Sequence, residues 1–466
     1  MQEHPPQRSR PMDQDPQAHL ILYGRPREVL WHMAWPAIAM LMFFGLNAIL
    51  DAVYIGQLIG ERALAGASMA YPVTQLTLGL GSLAGIGGGV TLSIAIGRGD
   101  RDLLKRLPGT CLAIAAVLSA GYALAGGLWA ETLVKGMGAR GELIPIAAAY
   151  LRASALGGIG AIGGLTLNML LRGEGRMKLA AAYMGIGLLA NVVLTPILIV
   201  VFDLGVAGAA WATNIGSALG GLLVWRRFAL GRASYPVDPR FVGLPRALAL
   251  RIARLGTPAM IMSSMGLVQA IVVFNVLARV GDESDIAFFG AAWRVLIFML
   301  TPLFGLMRAF QPVAGINYGA EQWQRIRNCY WTFVAAGAAM IIPIWLVMTL
   351  LPEATISLML PGREFAAVEV HRFRVLIAVL PVLPIVFTAL ALLPAIEQPG
   401  KATLVSVSRQ LLLYVPVMLI VPPIIGVSGI YYGATAIDLA CAAWLLLIVL
   451  GVFRANLPGR STVPGR

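Results

Sequence analysis

Residues 30–57 read LWHMAWPAIAMLMFFGLNAILDAVYIGQ. Apart from His32 at its mouth, the run is apolar up to Asn47 and does not alternate as a half-buried strand would. A helix needs roughly 20 mostly apolar residues to cross a bilayer, and this stretch exceeds that. Runs of the same kind recur along the chain, broken by short loops rich in charge, glycine and proline. About twelve are legible: 30–57, 64–96, 107–130, 143–171, 178–201, 205–228, 252–280, 286–316, 329–351, 366–395, 402–423 and 427–453. The second and eighth are long enough to tilt. Membrane strands would show alternating segments of about 10 residues instead.

Composition agrees. The 466-residue chain is 58% hydrophobic, with a mean hydropathy of +0.80. Only 12% of its residues are charged, against about 25% in ordinary soluble domains. That much apolar surface exceeds what a water-soluble core can bury. The fold class expected is an all-α polytopic membrane protein.

Two halves are visible. The segment 229–250 (ALGRASYPVDPRFVGLPRALAL) is the longest break that carries several charges and prolines, and it falls near mid-chain. One constant offset in numbering pairs Pro36-Ala37 with Pro258-Ala259, Leu64-Ala65 with Ile286-Ala287, Val73 with Val295 and Gly97 with Gly319. The expected organisation is a disordered tail over 1–27, a first six-helix lobe over 28–228 and a linker over 229–246. A second lobe over 247–454 and a short tail over 455–466 follow. Six spans per half make the halves parallel repeats, an arrangement in which transporters place substrate between the two and expose it alternately.

The net charge of +13 would suit nucleic acid, but its distribution argues against that partner. Arg98, Arg101, Lys105, Arg106, Arg172, Arg176, Arg226, Arg227, Arg325 and Arg327 all fall on the side that carries the termini. That is the positive-inside bias. It places both termini in the cytoplasm and the protein in the inner membrane. The first residues have no short apolar run ending in a small-residue cleavage site, so no signal peptide is expected.

Catalytic and metal motifs are missing. There is no HExxH, GxSxG or Walker loop, and Cys111, Cys329 and Cys441 form no CxxC pair. Neither an enzyme nor a cofactor is expected. The run GLGSLAGIGGG (79–89) lacks the Lys-Ser/Thr ending of a phosphate loop and reads as a close-packing helix face.

Carboxylates inside the spans are the exception that points to function. Asp51 and Asp438 fall clearly within apolar runs, and an aspartate at a helix centre costs about 2.5–3.5 kcal/mol on insertion scales. Removal from water favours the neutral form of a carboxyl group, so such a residue can load and release a proton; its oxygens could equally ligate Na⁺. Asn47 sits four residues before Asp51 on the same helix face, and Pro36 permits a hinge. Asp438, among small residues, reads as a helix-to-helix contact. Phe43, Asn47, Tyr54, Met260, Met262 and Gln269 are candidates to line a substrate cavity, the methionines because deformable surfaces suit promiscuous binding.

Beyond these residues the chain resembles the multidrug and toxic compound extrusion (MATE) family over nearly all of 28–454. The resemblance rests on LDAVYIGQLIGERALAGASMAYPV (50–73), IAIGRGD (94–100), LRGEGRMKLAAAY (171–183) and NVVLTPILIVVFDLGVAGAAWATNIG (191–216). FQPVAGINYGA (310–320) and EQPGKATLVSVSRQ (397–410) continue it. It implies two six-helix lobes forming a V. It also implies a secondary antiporter that expels organic cations and other amphipathic compounds in exchange for H⁺ or Na⁺. One chain supplies both lobes, so function as a monomer is expected. Asp51 matches the family's first-helix acid, and Asn191 and Thr213 match polar positions facing it. Thr195 stands where one branch has aspartate, and the seventh span, 256–278, has no acid. Asp51 therefore carries the expected coupling, by H⁺ first. Na⁺ held by Asp51, Asn191, Thr195 and Thr213 is the alternative. A lipid-linked precursor flippase is the rival reading, because Arg152, Arg294, Arg308 and Arg409 could bind a pyrophosphate.

Overall fold

A computed structural model describes residues 15–137, 139–238, 240–357 and 364–456. Among these the chain is helical, with no strand.

The first half comprises α1 (Pro16–Tyr23), α2 (Pro26–Leu58), α3 (Glu61–Thr74), α4 (Leu76–Arg98), α5 (Arg101–Leu128), α6 (Ala130–Gly136), α7 (Leu143–Leu156), α8 (Gly158–Gly173), α9 (Met177–Pro196) and α10 (Gly205–Ala229). The second comprises α11 (Arg246–Val280), α12 (Glu283–Gly319), α13 (Trp323–Leu350), α14 (Pro352–Ser357), α15 (Ala367–Ile377), α16 (Leu383–Ala395), α17 (Pro399–Val407), α18 (Val415–Ile425) and α19 (Ser428–Asn456). Among the described residues, ten helical segments are long and apolar enough to cross a membrane, and α7 with α8 makes an eleventh. The 35-residue α11 has the length to cross as well.

Local sequence explains the boundaries. Pro26 opens α2, where Glu28 accepts from the Arg25 N–H at 3.3 Å. Gly99, at φ +71°, closes α4 in the left-handed region, and Asp100 then caps α5 by accepting from the Leu103 N–H at 3.1 Å.

Two spans that read as continuous in the sequence are broken. The second divides at Gln75, just after Pro72. The fourth bends by 49° at Gly157. A break inside lipid must find partners for the carbonyls it frees. Here the Asn214 amide donates to the Ala153 and Ser154 carbonyls at 3.1 and 3.3 Å.

The disordered tail expected over 1–27 is wrong for 16–27. Leu20, Ile21 and Leu22 give α1 an apolar side. Ile21 and Leu22 are buried, and Arg325 donates to the Ile21 and Gly24 carbonyls at 2.8 and 2.6 Å. Residues 1–14 and 457–466 lie outside the described residues, so most of the C-terminal tail does too. The linker also packs: Tyr235 is buried, and the Ser234 N–H and hydroxyl both donate to the Glu174 carboxylate.

The halves meet along α2, α4, α11 and α12. A Cβ on Gly87 would run into the Ile252 carbonyl, one on Gly97 into the Ile316 carbonyl, and one on Gly305 into Ile38. These approaches all fall in the half of each helix nearer the terminus-bearing face. At that face Glu397, in the loop between α16 and α17, accepts from Arg98 Nη2 at 2.7 Å and Arg251 Nη2 at 2.6 Å. Burial pushes its carboxyl up, but the hydrogen bonds and charges of Arg98 and Arg251 outweigh that and hold it below the usual carboxylate range.

Candidate functional site

Asp51 lies two turns before the end of α2, facing α9 and α10 of its own half. Its Oδ2 accepts from Thr213 Oγ1 at 3.3 Å and from Asn47 Nδ2 at 3.4 Å, and its Oδ1 from Thr195 Oγ1 at 3.5 Å. Asn191 joins through Thr213, donating to that hydroxyl at 3.0 Å. Thus Asp51, Asn47, Asn191, Thr195 and Thr213 converge on one point. Pro196 and the π-helical turn Ile197–Val201 follow at once. They re-aim the end of α9 there; such turns are frequent at functional sites.

Each hydroxyl has one proton and two claimants. Thr195 Oγ1 is 2.9 Å from the Asn191 carbonyl in the preceding turn, and Thr213 Oγ1 is 3.2 Å from the Ala209 carbonyl. A charged Asp51 competes with those carbonyls for both protons, whereas a neutral one competes less. The Asn47 and Asn191 side-chain oxygens are buried without a partner. As acceptors left free beside the carboxylate, they are available to a hydrogen-bond donor or to a cation's oxygen shell. No group of three or more His, Cys, Asp or Glu suited to a metal occurs among the described residues.

Asp51 opens onto a cavity of about 780 Å³, lined by residues of the first half alone, from α2–α4 and α7–α10. The volume falls in the range of about 300–1,000 Å³ typical of small-molecule sites. Phe44, Tyr71, Tyr150 and Met184 give it aromatic and deformable walls. Asn168 and Asn214 add polar groups. Among its lining residues Asp51 is charged, and none is Lys, Arg or His.

Other expected residues lie elsewhere. Phe43 is 60% exposed and points away from the cavity that Phe44 lines. Tyr54 packs beside Ile55, Ala63 and Val206. Met260 and Met262 belong to the second half and do not reach this cavity, and Gln269 accepts from Gln410 there at 3.2 Å. Pro36 is buried within a continuous α2. Asp438 is neutralised by Arg409 at 2.6 Å, and Arg152 pairs with Glu131 at 3.0 Å. Arg294 is exposed. Sequence reasoning missed Tyr71, Tyr150, Asn168 and Asn214. The glycine cluster LGGIGAIGG (156–164) was the available signal, since it marks the break that Asn214 repairs.

Helical halves joined by a seam, with a solitary carboxylate on an internal cavity, define a polytopic membrane transporter. The MatE family model matches residues 36–197 and 258–420, so its two matches begin at the same prolines that the internal repeat pairs. The chain belongs to the MatE family, whose members are transporters and not enzymes. It is similar to the multidrug export protein MepA of Staphylococcus aureus (strain N315), at 25% identity over 427 residues, covering 91% of this chain and 93% of the relative. MepA of Staphylococcus saprophyticus is 24% identical over 426 residues, covering 90% and 92%. Among solved structures, the chain is similar to a MATE protein in the bent conformation, with a TM-score of 0.88 and 21% identity over 95% of this chain and 98% of that one. An outward-facing multidrug resistance MATE transporter gives 0.84, also at 21% identity, covering 95% and 98%.

Proposed function

We propose that the protein exports amphipathic, cationic small molecules from the cytoplasm in exchange for H⁺, with Asp51 as the site shared by proton and substrate. The observation that carries this reading is the cavity's charge: one carboxylate, aromatic and methionine walls, and no basic residue among its lining. Such a wall favours a cation, by the carboxylate and by ring faces, and disfavours a pyrophosphate. The MepA relatives are named multidrug export proteins, which supports the same substrate class. Both termini are cytoplasmic in this reading, on the strength of the Lys and Arg bias, and one chain suffices because it supplies both halves.

The steps follow from the competition for hydroxyl protons. With Asp51 charged, Thr195 and Thr213 turn towards it and the cavity holds a cation. A proton arriving from outside neutralises the carboxylate, and the hydroxyls return to the Asn191 and Ala209 carbonyls. The cation loses its counter-charge and leaves. Pro36 supplies no N–H to the His32 carbonyl one turn back, so α2 can bend there as its contacts with α9 and α10 loosen. Release of the proton to the cytoplasm resets the site.

Na⁺ exchange is the second reading, favoured by the unpartnered Asn47 and Asn191 oxygens beside a carboxylate and two hydroxyls. The test is efflux of a fluorescent organic cation from proteoliposomes under a pH gradient without Na⁺. Export by the wild type and none by Asp51→Asn supports H⁺ exchange. Export only after Na⁺ is added replaces H⁺ with Na⁺. Silence with both ions, with lipid-linked pyrophosphate moved instead, overturns the drug-export reading.

A further inference from the structure

Arg172 and Arg308 stand on opposite sides of the seam, one from α8 of the first half and one from α12 of the second. Arg172 is 6% exposed. Its Nε donates to Asn168 Oδ1 at 2.9 Å and its Nη2 lies 3.8 Å from the Met184 sulfur, so neither partner is charged. Arg308 has no hydrogen-bond or ion-pair partner among the described residues. Both line one small cavity of about 20 Å³, together with Gln311, Ser93 and Gly173. The Ser93 hydroxyl is already used on the Gly89 and Gly173 carbonyls. Three other arginines within the helices have counter-charges: Arg409 has Asp438, Arg372 has Asp285 and Arg152 has Glu131.

A guanidinium does not shed its charge at any ordinary pH, and a charge removed from water needs pairing. Two such groups sharing a cavity repel each other across the seam. Arg172, Arg308 and Gln311 line this space, and no carboxylate among the described residues does. A water needs about 10–15 Å³ of such space, so a cavity of about 20 Å³ is of a size for one water or one monatomic ion.

We propose that Arg172, Arg308 and Gln311 form a site for one chloride-sized anion, which bridges the two halves. The anion neutralises the facing guanidiniums and so favours the state in which the seam is closed. An empty site drives the halves apart at this point. The proposal is independent of which ion Asp51 exchanges.

The test uses the full-length protein in detergent at constant ionic strength, with sodium gluconate replaced stepwise by sodium chloride or bromide. The expected result is a saturable rise of several degrees in Tm for the wild type and for the surface control Arg454→Gln, and no rise for Arg308→Gln. A Tm that ignores the exchange, or the same rise in Arg308→Gln, overturns the proposal and leaves the cavity to water. Should Arg308→Gln not fold, bromide-soaked crystals of the wild type decide. An anomalous peak between Arg172 and Arg308 supports the site, and its absence at saturating bromide refutes it.

Discussion

Replacing Glu397 with glutamine should loosen the closed seam by an amount that can be worked out. The carboxylate accepts from Arg98 of the first half at 2.7 Å and from Arg251 of the second at 2.6 Å. The cross-seam bond is therefore one charge-assisted pair. The Arg98 and Glu397 side chains are 43% and 30% exposed, and partly exposed pairs contribute about 0.2–1 kcal/mol. The substitution also leaves Arg98 and Arg251 near each other without the negative charge between them, which puts the loss near the upper end. About 1 kcal/mol corresponds to roughly a fivefold shift from closed to open seam. The contact of Arg98 with the Tyr318 ring, 5.8 Å from its centroid, should survive. Spin labels at exposed positions 102 and 324, on opposite halves, would report the two populations by double electron–electron resonance, and the native cysteines are buried. The pH dependence has a fixed sign. Because the folded carboxyl is held below its ordinary value of 4.5, the latch is fully formed above that value and is lost as pH falls through the lower folded one. In an Asp51→Asn background, where the exchanged proton has no part, the closed population should thus stay constant above the ordinary carboxyl value and fall below it, whereas adding Glu397→Gln should remove that acid step. Equal closed populations in both proteins at pH 7 would refute the latch.

Three further outcomes are expected. Asp51→Asn should keep the fold, because asparagine fills the same space, while losing gradient-driven export; thermal unfolding and proteoliposome efflux measure the two separately. Gly87→Val should prevent seam closure, since its Cβ meets the Ile252 backbone and not a yielding side chain. Overpacking of this kind costs about 1–3 kcal/mol, and the 102–324 distance distribution should broaden to longer values. Asn214→Ala should lower stability by about 1–3 kcal/mol, read as a drop in Tm, because the Ala153 and Ser154 carbonyls lose their donor at the bend.

The spans are legible because lipid demands long apolar helices, and residues 30–57 satisfy that demand on sight. Asp51 is legible for the complementary reason: a carboxylate in such a run has to be explained. Asn47 follows from helix spacing, and Asn191, Thr195 and Thr213 from likeness to a family. The bend at Gly157 is only half legible: the glycine cluster 156–164 marks it, but the donor that repairs it comes from a distant helix, Asn214 of α10, that no local pattern announces. α1 reads as tail because three apolar residues in a row look unremarkable until Arg325 and Asn317 arrive to bind its carbonyls. Glu397 and Arg98 read as loop charges. Their pairing joins elements 299 residues apart, and such partners are set by topology.

The repeat is sharpest where it fails. The offset that aligns the halves carries Thr213 onto Thr435 but Asp51 onto Val273. Thr435 bonds to the Val375 carbonyl at 2.8 Å and has no carboxylate to attract it, while Val273 is buried in the apolar core. The second half does contain an intramembrane acid, Asp438, but Arg409 neutralises it at 2.6 Å. A carboxylate locked to a guanidinium already has its counter-charge and is poorly placed to hold a second cation. One that rests on two hydroxyls and an amide at 3.3–3.5 Å is held far less firmly. The asymmetry accounts for the large cavity lying within the first half and for the proposed exchange falling to it alone. In the proposed cycle the second half serves as the surface against which the first opens and closes, through the glycine contacts of α4, the Glu397 latch and the facing arginines.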